Sequence, residues 1–247
     1  LAVYLSDPRR NKAFETELLD LIKRLPEKAF DRLRLEGYTA WFKKDLDGAA
    51  AKFKEANGVR PMDPNLILAY TQVLAAKNQR GEAEQLARDL IAKDKTFGPI
   101  YDVLYIEYIR QGRQADAELI RKQKTDNNPT VMDYRLQLAT HYYIMKRPDE
   151  TARVLDAMVA DPKTFPRARE KAGDFYLMFR EYDKAIGYYK GGLAGSKEQR
   201  LNFQRKIADT LLSQGKRDQA LTVVENDILK EDPKDPMGLA LRASLWL

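Results

Sequence analysis

The sequence from residue 30 to residue 63 is FDRLRLEGYTAWFKKDLDGAAAKFKEANGVRPMD. Within it Gly37 is the eighth residue and Ala49 the twentieth, and alanine recurs at Ala83 and Ala117, 34 residues apart each time. A unit of this length holds two amphipathic helices, and one such pair buries its apolar faces only by stacking on neighbouring pairs. The period therefore predicts an all-α fold, an α-α superhelix (solenoid) of stacked antiparallel helix pairs.

The spacing divides residues 1–247 into about six full units and two partial ones within a single solenoid. We place the units at approximately 1–29 (partial), 30–63, 64–97, 98–131, 132–165, 166–200, 201–234 and 235–247 (partial). Asn78 and Gly112 stand where the two helices of a pair must turn, and Asn tolerates left-handed backbone. The alanine of the fourth unit falls at Ala152, one residue late, so we expect the register to slip there and again before Ala220.

Both ends of the sequence lie within a unit. Residues 1–8 read as the last turn of a first helix, and Asn11–Leu25 as its partner helix. At the other end, residues 236–247 read as a first helix without a second. We therefore expect the chain to be a segment of a longer array, whose end helices can self-associate. The alternative is a C-terminal helix packed on the sixth unit.

The stretch Ala172-Gly173-Asp174-Phe175-Tyr176, with Ala185 twelve residues after Gly173, carries a recognisable repeat pattern. Together with the 34-residue period, it resembles the tetratricopeptide repeat family over nearly the whole chain. The loop at 214–220 is similar to loops of bacterial members. Arg135 and Arg169 depart from the family pattern, because a large apolar residue is common at these fourth places of the unit.

Composition argues against catalysis. The chain has no cysteine and one histidine, His141, so it lacks the residues for a nucleophilic triad or a multi-histidine metal site. We interpret His141 as a partly exposed residue on a helix surface, and acid pairs such as Glu82 and Glu84 as solvated. The prediction is a protein that is not an enzyme and has no cofactor and no metal site.

The resemblance implies that the first helix of each unit lines a concave groove. Applied to this sequence, it places these partner-binding residues there: Arg34, Tyr38, Trp41, Phe42, Leu68, Gln72, Ile106, Ile109, Arg110, Leu136, Tyr143, Arg167, Asp174 and Arg205. Trp41 and Phe42 have two interpretations, a binding surface or packing on the preceding half-unit. The Lys, Asn and Arg clamp with which some members bind chaperone C-termini is missing from the corresponding places.

These features favour a protein-protein interaction scaffold that binds a partner peptide or helix in its groove and organises a multiprotein complex. One alternative is the recognition arm of an enzyme or of an exopolysaccharide secretion or envelope protein. The other is an RNA-binding helical repeat. The 43 basic and 37 acidic residues are interspersed, and the basic run of Arg110, Arg113, Arg121, Lys122 and Lys124 crosses a turn, so we expect no nucleic-acid partner.

The sequence contains no apolar stretch long enough to cross a bilayer, so we expect no membrane insertion by this segment. Compartment stays open between the bacterial cytoplasm and the periplasm or envelope. The absence of cysteine gives a slight preference for the envelope.

Overall fold

The computed structural model describes residues 8–246, with side chains over 16–245. This part of the chain folds into fourteen helices and no strand, which confirms the all-α prediction. The helices are α1 (Pro8–Arg24), α2 (Phe30–Phe42), α3 (Leu46–Val59), α4 (Pro64–Ala76), α5 (Arg80–Lys93), α6 (Gly98–Arg110), α7 (Gln114–Asn127), α8 (Met132–Ile144), α9 (Pro148–Val159), α10 (Ala168–Met178), α11 (Tyr182–Lys190), α12 (Lys197–Ser213), α13 (Arg217–Val223, continued by a π-helical turn Val224–Ile228 and a last turn Leu229–Glu231) and α14 (Pro236–Trp246).

Successive helices pack as antiparallel pairs, α2 with α3 and so on to α12 with α13. The first helices α2, α4, α6 and α8 begin at Phe30, Pro64, Gly98 and Met132, each 34 residues after the last. The chain forms two compact units that meet in sequence between Asn128 and Pro129. Unit 1 holds α1 to α7, and unit 2 holds α8 to α14. Within each unit a pair contacts the next pair along the chain.

The turn inside each helix pair is set by one residue with left-handed backbone. The turn residues have φ between 55° and 79°: Lys44, Asn78, Gly112, Lys146, Arg180 and Gly215. In every turn the amide of the following residue donates to the carbonyl five residues before it, at 2.8–2.9 Å, which is the Schellman motif. The left-handed backbone expected at Asn78 is confirmed. Two lysines and an arginine take the same conformation without the freedom of glycine.

A small buried residue lies at the same place in each second helix. Ala49, Ala83, Ala117 and Ala185 are at most 3% exposed, and the fourth unit has Thr151 at this place. The register slip expected at Ala152 is therefore wrong: Thr151 is fully buried, and its hydroxyl donates to the Arg147 carbonyl at 2.9 Å. A satisfied hydroxyl makes threonine a small residue that a helix interface accepts. One extra residue does enter before Ala220.

Close helix contact also depends on glycine in two first helices. A Cβ atom on Gly37 would lie 2.5 Å from the Phe53 ring on α3. One on Gly173 would overlap the Tyr189 ring on α11. Phe53 and Tyr189 are themselves fully buried. The glycines thus leave the space that these rings fill, and the two helices of each pair approach closely.

The helices at the ends of the described range differ slightly from expectation. α1 covers Pro8–Arg24, where Asn11–Leu25 was expected. Of the helical turn expected over residues 1–8, only Pro8 lies within the described residues, and it begins α1. α14 packs Leu241 and Leu245 against a cluster in α12 and α13. This helix thus packs on the sixth pair.

A buried ion pair fixes the start of α14. Asp235, 1% exposed, accepts a hydrogen bond from the Gly238 amide at 2.6 Å and forms an ion pair with Arg205 of α12. The partner and the amide together hold the pKa of the Asp235 carboxyl below its usual range, against the opposing effect of burial.

Glu84 on α5 joins its own helix pair to the following one. Its carboxylate accepts from Arg113 at 2.7 Å, from the Tyr108 hydroxyl at 2.8 Å and from Arg88 at 3.1 Å. The hydrogen bond from Arg113 is the main cause that lowers the pKa of Glu84 to about 2. Burial, together with the hydrogen bond to Glu84, raises the pKa of Tyr108 to about 12. The prediction that Glu84 is solvated is wrong, because its carboxylate oxygens accept hydrogen bonds from three side chains.

Lys146→Gly should raise the free energy of unfolding by about 0.5–1 kcal/mol. Glycine removes the steric cost of left-handed backbone, and the greater freedom of the unfolded chain offsets part of the gain. Urea denaturation at pH 7 measures the change. The matched control is Lys54→Gly in the middle of α3, which should lower stability by about 1 kcal/mol. A loss of stability in both variants contradicts the role given to the turn.

Glu84→Gln should lower stability at neutral pH by about 1–2 kcal/mol, allowing for screening by solvent. Because the folded-state pKa lies below the unfolded one, this contribution is present above the unfolded pKa and is lost as pH falls from about 4.5 towards 2. Urea midpoints of wild type and variant should therefore converge in that window. Glu27→Gln, at an exposed position, is the control, and a difference that stays constant down to pH 2 refutes the linkage.

Candidate protein-binding groove

Large apolar side chains are exposed on the first helices of several pairs. In unit 1 these are Phe42 on α2 and Ile106 and Ile109 on α6, which are 44%, 47% and 37% exposed. In unit 2 they are Ile144 on α8 and Met178 on α10. Second helices of unit 1 also carry exposed apolar residues, Val59 and Leu119. Exposure alone therefore does not separate the two kinds of helix, and a shaped surface is needed.

Unit 1 has such a surface between its first helices α4 and α6. A hollow of about 280 Å³ is lined by Gln72, Ala75 and Ala76 of α4 and by Val103, Ile106, Glu107 and Arg110 of α6. The alanines, the valine and the isoleucine make it apolar, and the other three side chains form a polar rim. Of the sequence-predicted site residues, the structure brings Gln72, Ile106 and Arg110 together here.

The rim of the hollow carries an ion pair. Arg110 donates to Glu107 at 2.9 Å, and the side chains are 69% and 15% exposed, respectively. The carboxylate is therefore mostly buried, whereas the guanidinium keeps further N–H groups in solvent. The Gln72 side chain is exposed beside it. The hollow thus combines an apolar interior with donors and acceptors that remain available to a ligand.

The aromatic residues of α2 mostly pack inside their own helix pair. Tyr38 and Trp41 are half-buried, and both rings meet Phe53 of α3 edge-on, with centroids 5.2 and 6.5 Å away. The Tyr38 hydroxyl also approaches the Asn65 carbonyl at 3.4 Å. Trp41 therefore packs on the helix that follows it, an arrangement that neither sequence interpretation contained. Phe42 is exposed.

The other two predicted residues of α2 and α4 also make internal contacts. Arg34 pairs with Asp31 at 3.1 Å and lies over the Phe30 ring. Leu68 is half-buried and packs against the core around α6. Neither side chain is fully free to meet a partner.

Most predicted site residues of unit 2 are occupied in the same way. Tyr143 stacks on Phe179 with centroids 4.0 Å apart, and Leu136 is half-buried against the core. Asp174 accepts from Tyr189 and Lys206, each at 2.8 Å. Arg205 forms an ion pair with Asp235.

Arg167 is the exception in unit 2. Its side chain is 64% exposed and pairs with Glu170 at 3.0 Å. The unit 2 positions therefore form no continuous free surface.

Every member of the basic run that crosses α6 and α7 has an acidic partner. The pairs are Arg110 with Glu107, Arg113 with Glu84 and Asp116, Lys122 with Glu118, and both Arg121 and Lys124 with Asp102. Lys124 is 1% exposed, and burial lowers its pKa while Asp102 opposes that shift. The run is neutralised within the protein and offers no stripe of free positive charge.

His141 is buried, at 1% exposure, with its ring edge against Tyr142. The partly exposed position expected for it is wrong, because α8 turns this side of the helix inward. Among the side chains of residues 16–245, no group of three or more His, Asp or Glu residues is placed to hold a metal ion. Within residues 8–246, no helix combines the length and the hydropathy that a membrane span requires.

No protein-family model matches the sequence, and a search of curated proteins finds no match. Among solved structures, the C-terminal part of a TPR repeat-containing protein from Cytophaga hutchinsonii is similar at 16% identity, covering 94% of each chain with a TM-score of 0.49. A tetratricopeptide repeat protein from Parabacteroides merdae is similar at 16% identity, covering 87% of this chain and 85% of that one with a TM-score of 0.45.

A third similar structure is the APC/C hetero-tetramer Cut9-Hcn1, with 15% identity and a TM-score of 0.45, covering 93% of this chain and 45% of that one. In this chain the first helices α2, α4, α6 and α8 begin 34 residues apart, left-handed turns recur at matching places, and small residues are buried at one place in each second helix. The chain is an all-α protein of repeated helix pairs, the arrangement that its resemblance to tetratricopeptide repeats implied.

Proposed function

We propose that the protein is an interaction scaffold that binds a segment of a partner protein in the hollow between α4 and α6. The observation that carries this proposal is the exposed Ile106 side chain beside Ala75, Ala76 and Val103 in one concave, mainly apolar site. The free energy falls when a partner removes the apolar side chains of such a site from water.

The chemistry of the hollow favours a peptide segment with an apolar anchor. About 280 Å³ accommodates one or two apolar side chains. Gln72 and Arg110 on the rim offer hydrogen bonds to backbone carbonyls of the same segment. Because the Arg110 side chain is 69% exposed, its remaining N–H groups can donate to a ligand while the pair with Glu107 is kept.

The charge distribution favours protein over RNA as the partner. Nucleic acid binding draws its affinity from cations that neutralise phosphates, and the basic residues of α6 and α7 are already matched by carboxylates. The same site could serve as the recognition arm of a larger polypeptide. That polypeptide would be an enzyme or an exopolysaccharide secretion or envelope protein. In that setting the segment still works by binding.

Ile106→Asp should weaken partner binding by about tenfold or more, because it places a charge in the apolar hollow. The test is affinity capture with purified wild-type chain, identification of retained proteins, and a titration with the binding segment of the strongest partner. Leu119→Asp is the control, since Leu119 is 60% exposed on the second helix α7 and does not line the hollow.

Loss of the partner in Ile106→Asp alone supports the hollow as the site. Equal retention by both variants overturns it. Filter binding of labelled RNA at low and moderate salt runs in parallel, and tight, steeply salt-dependent retention by wild type would replace the proposal with the nucleic-acid alternative.

A further inference from the structure

A second hollow lies within unit 2. It has a volume of about 460 Å³. Pro148 and Ala152 of α9, Arg169 and Tyr176 of α10, and Gly187 and Tyr188 of α11 line it. Arg169 and Tyr176 are seven residues apart on one helix, and Gly187 and Tyr188 lie one turn after Lys184 on the next, so each helix presents a single face to the hollow.

Arg169 has no acceptor among the described residues. The other half-buried arginines of unit 2 each have one, as ion pairs or bonds to carbonyls: Arg135, Arg147, Arg200 and Arg205. Arg169 also stands where the repeat pattern favours a large apolar side chain. No Arg169 nitrogen is among the buried polar atoms that lack a partner, so its guanidinium is open to solvent and available to bind an anion.

The surroundings leave room for this guanidinium. A Cβ atom on Gly191 would overlap the Arg169 Nη1 atom, so a larger residue at 191 would require the end of this side chain to move. A Cβ atom on Gly187 would meet nothing within 4 Å, because that position faces the open hollow.

The walls of the hollow indicate which kind of group can fill it. Tyr176 and Tyr188 stack with centroids 5.6 Å apart and planes 21° from parallel. The Tyr188 hydroxyl donates to Asp156 at 2.7 Å, and the Lys184 ammonium pairs with Glu181 at 3.3 Å, with both side chains partly exposed. Because Tyr176 is only 3% exposed, the apolar surface open to a ligand comes from the half-buried Tyr188 ring, Pro148 and Ala152, and it suits a flat aromatic group.

The charge balance selects the anion. Arg169, Lys184 and Asp149 all line the hollow, which leaves it one net positive charge and disfavours a doubly charged group. A carboxylate carries a single charge and matches the guanidinium in a bidentate hydrogen bond. A phosphate dianion is disfavoured by the same arrangement.

We propose that the hollow formed by α9, α10 and α11 is a second binding site that takes an aromatic carboxylate, with Arg169 binding the carboxylate and the Tyr188 ring contacting the aromatic group. The ligand is either a free small molecule or the aromatic C-terminal residue of a peptide. The site is independent of the hollow between α4 and α6.

Isothermal titration of the full chain with 1-naphthoate and with neutral 1-naphthamide tests the proposal. Wild type should bind the naphthoate about tenfold more tightly, as expected for a charge-assisted hydrogen bond. Arg169→Gln should remove that preference, and Gly187→Leu should abolish binding of both probes by filling the hollow. Gly81→Leu is the matched control, because Gly81 is also helical with open space around its Cβ position.

A second arm uses the tripeptide Gly-Gly-Phe with a free or an amidated C-terminus. Binding of the free tripeptide but not of naphthoate assigns the ligand to chain termini, and binding of naphthoate assigns it to small molecules. Circular dichroism checks that each variant is folded, and both glycine replacements raise helix propensity. The proposal is overturned if neither acid binds saturably to wild type, or if Arg169→Gln and Gly187→Leu bind as wild type does.

Discussion

The rest of the structure depends on how closely the two helices of each pair approach. A residue no larger than threonine occupies the same buried place in each second helix from Ala49 to Ala220. Where the first helix also has glycine, a ring fills the space, as Phe53 does against Gly37. Protein interiors are packed to the density of crystals, so a side chain larger by a few atoms at these places has nowhere to go. The spacing of helices, and the exposure of the surfaces between them, follow from this packing.

The sequence was sufficient for the repeat but not for every detail of its phase. The alanine period predicted the all-α pairs because small residues at helix contacts leave a regular trace. It predicted a register slip at Ala152 that does not occur, because Thr151 takes the alanine place with its hydroxyl bonded inside its own helix, and composition alone does not reveal that bond. The left-handed backbone at Lys44, Lys146 and Arg180 could not be predicted either, since long cationic residues give no signal of it.

The candidate site was harder to predict, for a physical reason. A helix position indicates which side of a repeat a residue faces, but not whether neighbours already use its polar atoms. Asp174 and Arg205 face partners inside the protein, whereas Ile106 and Arg110 border a hollow. The network around Glu84 joins residues up to 29 positions apart. Such contacts require the packing of consecutive pairs before they can be seen.

Contacts within each unit join helices that are neighbours in the chain, apart from a few such as α4 with α6. Stability in such an arrangement is close to a sum of terms for each pair and each junction, and local contacts favour rapid folding. A partner seated between α4 and α6 would consequently slow hydrogen exchange most in those two pairs and their junction. Binding in unit 1 would then reduce local unfolding near the hollow and have little effect on the exchange of amides several pairs away.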